Sequence, residues 1–297
     1  MKTIFSGCAT ALITPMNEHG IDYDAMEKII ERQIASGIDA LLVCGTTGES
    51  ATLSERERDE LIAVSRSAIG GRVPLIVGTG SNNIEKAINH TKKAGTAGAD
   101  AVLVVTPYYN KTTQQGLIAS FSAIAEASDV PVIVYNVPSR TGMTISVETY
   151  KALAAIDKIE GVKEASADIC SFSSEISQTR TELVYYCGND NMTLPMISLG
   201  AAGVISVASN IIPTEMVRIC HAALDSDFDT ARNLFYEYSY LIDLLFCETN
   251  PIPIKAAMSY LGYCGDSIRL PLIGMSDGNR SVLTDELKHL QTQGKIR

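Results

Sequence analysis

The run VPVIVYNVP (130–138) decides how this chain folds. From Val130 to Tyr135 it holds no charge and no apolar–polar alternation. A strand with one wet face alternates, whereas a strand that is apolar throughout is buried on both faces, as in a parallel sheet covered by helices. Valine and isoleucine fill the run and prolines bound it, which is strand chemistry with punctuation. Runs of the same kind recur along the chain: ATALITP (9–15), ALLVCG (40–45), VPLIVGTG (73–80), AVLVVTP (101–107), IEGVKEA (159–165), LVYYCGND (183–190) and GVISVAS (203–209). They make eight strands, roughly 20–35 residues apart, the period of repeated βα units.

The segments between them read as amphipathic helices. One runs from about Tyr23 to Ser36 behind Asp22, and SERERDELIAVSRSAI (54–69) opens with Ser54 and Glu57 at capping-box spacing. Eight such units predict an α/β protein with a (β/α)8 barrel. A doubly wound open sheet would carry G-x-G-x-x-G after its first strand; PMNEHG stands there instead, and VGTGSNN, after the third strand, lacks the third glycine. After about residue 225 the strands stop. DFDTARNLFYEYSYLIDLLF (227–246), KAAMSYLGY (255–263) and SVLTDELKHLQTQ (281–293), the last with Thr284 as its cap, read as helices. The expected organisation is a barrel over residues 1–224 and a C-terminal helical appendage over 225–297.

Composition narrows the function. The chain has 297 residues, 46% hydrophobic and 20% charged, with a net charge of −10. No basic cluster is present to neutralise a phosphate backbone or an anionic membrane surface, so nucleic acid and membranes are not expected partners. No run approaches the about 18 apolar residues of a membrane span, and MKTIFSGCATALITP (1–15) reads as a strand rather than a signal peptide. Seven scattered cysteines without a C-x-x-C pair suit free thiols in a reducing, cytoplasmic setting, and four scattered histidines offer no zinc cluster. No metal and no cofactor are expected.

Barrel enzymes carry their chemistry at the C-terminal ends of the strands. There this sequence places GTTGES (45–50), TPYYNK (106–111), Tyr135 with NVPSRTG (136–142), Lys163, GND (188–190) and GVISV (203–207). Lysine is a poor residue to bury unless its ammonium is solvated, paired or chemically required to be neutral. A desolvated lysine is a neutral nucleophile whose natural partner is a carbonyl, giving an imine that serves as an electron sink. Each residue also has a plainer reading. Lys163 can snorkel beside Glu164. Gly45–Thr46–Thr47–Gly48 can be a turn that caps a helix. Tyr108 and Tyr109 can be core or interface aromatics, and Arg140 a solvated loop charge. Their convergence on one end of the barrel favours an active site.

As an ordered set, GTTGES, TPYYNK, YNVPSRTG (135–142), GVKEAS (161–166) and GVISV closely resemble the dihydrodipicolinate synthase family, over essentially the whole chain. The glycine–threonine motif and the Schiff-base lysine are shared with the wider pyruvate-dependent aldolases. The resemblance implies that Lys163 forms an imine with pyruvate and that Tyr135 shuttles protons beside it. Thr46 and Tyr109 would complete a hydroxyl relay, Tyr109 reaching in from a neighbouring subunit of a homotetramer built as a dimer of dimers. Gly45 and Thr47 would hold the pyruvate carboxylate, the Ile205 carbonyl would lie against the imine, and Arg140 would bind the carboxylate of L-aspartate 4-semialdehyde. Its planar fork suits that group. Rivals are an aldolase for N-acetylneuraminate or a 2-keto-3-deoxy sugar acid, and a non-catalytic relative, which would lack Lys163 or Tyr135. Thr112 stands where the family often has proline. Glu55, Arg58 and Lys86 replace two histidines and a glutamate of lysine-inhibited relatives, while Ser50, Ala51, Asn82 and Tyr108 keep that pattern; weak or absent inhibition by lysine is expected.

Overall fold

The computed structural model describes residues 3–296. Eight parallel strands close into a barrel: β1 (Gly7–Ala11), β2 (Ala40–Val43), β3 (Leu75–Gly78), β4 (Ala101–Val105), β5 (Val132–Asn136), β6 (Ile159–Glu164), β7 (Val184–Cys187) and β8 (Gly203–Ser206), each paired with the next and β8 with β1. Helices follow the strands: α1 (Tyr23–Ala35), α2 (Glu55–Ile69), α3 (Ile84–Thr96), α4 (Gln114–Glu126), α5 (Val147–Ala154), α6 (Ile169–Thr179), α7 (Thr193–Ser198) and α8 (Pro213–Leu224). Three further helices, α9 (Phe228–Leu244), α10 (Ile252–Tyr260) and α11 (Asp277–Thr292), form the C-terminal part. No helix of the described residues is long and apolar enough to cross a membrane.

The all-apolar strand pattern resolves into two cores. Alternate residues such as Ala9, Leu42, Ile76, Leu103, Ile133 and Ile205 fill the barrel interior. Their neighbours, among them Leu41, Val77, Val104 and Val134, face the helices. Burial on both faces is what removes the polar alternation from the sequence. At the N-terminal end the ring of Phe5 stacks on Tyr186 at 4.2 Å, and the Tyr186 hydroxyl donates to the Phe5 carbonyl at 3.0 Å.

Local chemistry sets the helix ends. Asp22 accepts from the Ala25 N–H at the start of α1, and Ser54 with Glu57 makes the expected reciprocal capping box on α2. Three expectations need correction. Strand β1 spans Gly7–Ala11 rather than 9–15, because the Asn210 side chain, not a neighbouring strand, takes the Ala11 carbonyl and the Ile13 N–H. Strand β8 ends at Ser206, where the N–H groups of Val207 and Ala208 turn to donate to Asp190. Thr284 caps nothing: α11 begins at Asp277 behind Ser276, and Thr284 lies within it.

Candidate active site

Lys163 and Tyr135 are neighbours because β5 and β6 pair in the register Tyr135↔Lys163. Both side chains point into the barrel, and the Lys163 Nζ sits 4.6 Å from the centre of the Tyr135 ring. Lys163 is 5% exposed. Burial, with a contribution from the Arg140 cation, brings its pKa down from 10.5 to about 8, against the opposing pull of Asp190. Glu164 gives the lysine no ion pair: it lies on the opposite face of β6 and accepts from Asn136, Tyr150 and the Ser166 N–H. The snorkelling reading of Lys163 therefore fails.

Tyr135 is buried, which pushes its phenol up; the Arg140 cation and a hydrogen bond with the Thr46 side chain pull the other way. The loop after β2 brings Thr46 here through a tight turn in which the N–H groups of Glu49 and Ser50 donate to Thr46 and Gly45. Thr47 is buried and accepts from the Asn250 Nδ2 at 3.0 Å, so its own O–H remains free to donate to a ligand. Arg140, in a short helical turn over Pro138–Thr141, donates to the Asn250 carbonyl at 2.9 Å. Ile205 lies in β8 with its side chain in the barrel interior. Tyr109 is the exception. It is 92% exposed, with a left-handed φ of 67°, and does not line the cavity that Tyr108 reaches.

A cavity of about 400 Å³ is lined by Thr46, Val105, Val137, Arg140 and Asn250 and extends to Ser50, Ala51, Arg58, Lys86, His90 and Tyr108; Lys163 and Tyr135 lie outside its lining. Glu55 pairs with Lys86 at 3.3 Å and with His90 at 3.0 Å, and His90 first, then Lys86, draws its pKa to about 2. Arg58 is buried and donates to the Gly78 carbonyl.

Asn250 and Lys255 escaped the sequence reading. Asn250 joins Thr47 to Arg140 from the C-terminal part of the chain. Lys255 in α10 pairs with Glu49 at 2.5 Å, each side chain 1% exposed, and the Arg269 N–H also donates to Glu49. This pins the GTTGES loop under the C-terminal helices. Gly188 leaves room for the lysine, since a Cβ there would stand 2.6 Å from the Ala165 Cβ and 3.2 Å from the Lys163 Cε. One signal was available: Lys255 is a lone cation in IPIKAAM, the same anomaly that singles out Lys163.

A (β/α)8 barrel that presents a desolvated lysine beside a tyrosine at its C-terminal mouth has the build of a Schiff-base aldolase. A model of the dihydrodipicolinate synthetase family matches residues 4–290. The 4-hydroxy-tetrahydrodipicolinate synthase of Thermoanaerobacter sp. (strain X514) is 44% identical over 285 residues, covering 96% of each chain. The crystal structure of dihydrodipicolinate synthase from Aquifex aeolicus superposes with a TM-score of 0.95 at 43% identity, covering 97% of this chain and 98% of that one. That of the enzyme from Cyanidioschyzon merolae with lysine bound has a TM-score of 0.93 at 39% identity, covering 99% and 100%. The chain belongs to the dihydrodipicolinate synthetase family.

Proposed function

We propose that this protein is a 4-hydroxy-tetrahydrodipicolinate synthase, a lyase of the class I aldolase type that condenses pyruvate with L-aspartate 4-semialdehyde in the diaminopimelate route to lysine. The observation that carries this reading is the register that sets the buried Lys163 amine 4.6 Å from the centre of the Tyr135 ring inside the barrel.

Each group has a task that fits its surroundings. The neutral Lys163 amine attacks the pyruvate ketone, and loss of water gives the imine. A methyl proton then leaves to form the enamine, whose carbon attacks the semialdehyde aldehyde; the substrate amine later displaces Lys163 and frees it. Tyr135, coupled to the Thr46 hydroxyl, moves protons to and from these centres without full ionisation. The free O–H of Thr47 and the Gly45 backbone meet the pyruvate carboxylate, the Ile205 carbonyl faces the imine, and Arg140, with donors to spare at the mouth, takes the carboxylate of the semialdehyde.

Tyr109 joins the relay from a second subunit of a homotetramer built from tight dimers. Its exposure supports this, as do the exposed apolar side chains of Leu270 and Ile273. Borohydride reduction with pyruvate present tests the mechanism: one reduced adduct per chain, on Lys163, is expected, and folded protein without an adduct refutes it. Pyruvate assayed with aspartate semialdehyde against pyruvate with N-acetylmannosamine tests the substrate, turnover with the second alone refuting the assignment.

A further inference from the structure

The outward faces of β5 and β6 carry a polar cluster, buried behind the two reacting side chains. Glu164 follows Lys163, Asn136 follows Tyr135, and these two pair across the strands in the register Asn136↔Glu164. The Glu164 carboxylate accepts from the Asn136 Nδ2 at 2.9 and 3.1 Å, from the Tyr150 hydroxyl of α5 at 2.8 Å and from the Ser166 N–H at 2.7 Å. The same Asn136 Nδ2 reaches the Thr144 hydroxyl at 3.1 Å, on the segment that follows Arg140. One carboxylate thus ties together the strand of Lys163, the strand of Tyr135 and the chain leading out of the Arg140 turn. The polar side chains face away from the cavity and touch no reacting atom.

We propose that Glu164 is a positioning residue: by clamping the ends of β5 and β6 it fixes the placement of Lys163 against Tyr135. The proposal rests on the imine reading of Lys163. Strand ends are where a barrel frays into loops, and an error of about 1 Å in a reacting group costs about 100-fold in rate. Four hydrogen bonds from three donors to one buried carboxylate hold the β5 and β6 ends against such an error. Glu164 is not among the groups that shift Lys163, whose pKa is set by burial, Asp190, Cys187 and Arg140. On Lys163 its action is therefore geometric; its charge also raises the Tyr135 phenol, and Tyr150→Phe, which keeps that charge, separates the clamp from the electrostatic effect.

The test is Glu164→Gln, which keeps the shape and turns one acceptor oxygen into a donor facing donors. In the full-length enzyme the rate of borohydride-trapped imine formation with pyruvate, and kcat, are expected to fall at least about tenfold. KM for pyruvate, the final yield of one adduct per chain and the pH midpoint of trapping are expected to stay as in the wild type. A full yield at a lower rate distinguishes misplacement from a loss of folded protein. Tyr150→Phe removes one donor without reversing any polarity and is expected to lower kcat by about threefold, which keeps the idea testable where Glu164→Gln does not fold. Wild-type kcat and trapping rate in folded Glu164→Gln, or in Tyr150→Phe where Glu164→Gln does not fold, overturn the proposal. A midpoint moved by a full pH unit at an unchanged rate overturns it as well. Absence of any adduct in the wild type instead overturns the Schiff-base reading beneath it.

Discussion

Imine formation requires an uncharged Lys163, so its rate reports directly on the desolvation of the barrel mouth. At pH 7 a lysine of pKa 10.5 is neutral in about one molecule in 3,000; at a pKa of about 8 it is neutral in roughly one in ten, a gain of about 300-fold. A less basic amine is also a weaker nucleophile. With a slope of about 0.5, as for thiols, this gives back about 18-fold and leaves a net gain of about 20-fold. The rate of pyruvate adduct formation, followed by rapid borohydride quench and intact mass, should rise about tenfold per pH unit below pH 7.5 and level off near 8. Arg140→Ala should move the plateau to higher pH, because the Arg140 cation opposes a charge on Lys163. The same burial has a cost. Below pH 8 the lysine is protonated both folded and unfolded and a penalty of about 3 kcal/mol is fully present; it is relieved as the pH rises from 8 to 10.5. Lys163→Met should therefore raise Tm at pH 7 and lose that advantage above pH 10. A trapping rate still climbing tenfold per unit at pH 9.5, or a plateau moved downward by Arg140→Ala, refutes the reasoning.

Lys255→Met leaves Glu49 charged and buried without its cation, so a loss of about 3–5 kcal/mol in urea denaturation is expected, most of it recovered when Glu49→Leu is added; a loss under about 1 kcal/mol contradicts this. Glu175 on α6 is buried, and desolvation first, then Glu164 and Asp168, push its pKa from 4.5 to about 8. Between those values the unfolded side chain ionises while the folded one stays protonated, so stability falls as pH rises. The Tm of Glu175→Gln minus that of the wild type should grow from pH 5 to pH 8, and a difference that does not vary with pH speaks against the assignment. L-lysine should leave activity unchanged up to about 1 mM, because Glu55 is already held by Lys86 and His90, and Lys86 meets an incoming ammonium with like charge. Clear sub-millimolar inhibition would show that the pocket keeps its affinity.

The barrel was legible because its strands are buried on both faces, which leaves continuous apolar runs in the sequence. The same property blurred their ends: ATALITP stays apolar past Ala11, while the backbone leaves the sheet to meet Asn210. Lys163, Tyr135, Thr46, Thr47 and Arg140 were legible because barrel geometry carries them to one end without further information. Asn250 and Lys255 were not, since their place depends on how the C-terminal helices dock, which no local pattern encodes. The plainer reading, Lys163 snorkelling beside Glu164, rested on their adjacency in sequence; strand alternation sends the two side chains to opposite faces.

The ion pair between Glu49 and Lys255 also has a consequence in time. Synthesis runs from the N-terminus at about 5–20 residues per second, and domains begin to fold as they emerge. The loop with Thr46 and Thr47 is made early, yet the cation that neutralises Glu49, and the Asn250 that holds Thr47, come some 200 residues later. A nascent chain that has released all eight strands still carries, in the loop after β2, a carboxylate without its cation. In order of assembly, the loop of Thr46 and Thr47 is made early and takes its final contacts only when the C-terminal helices dock.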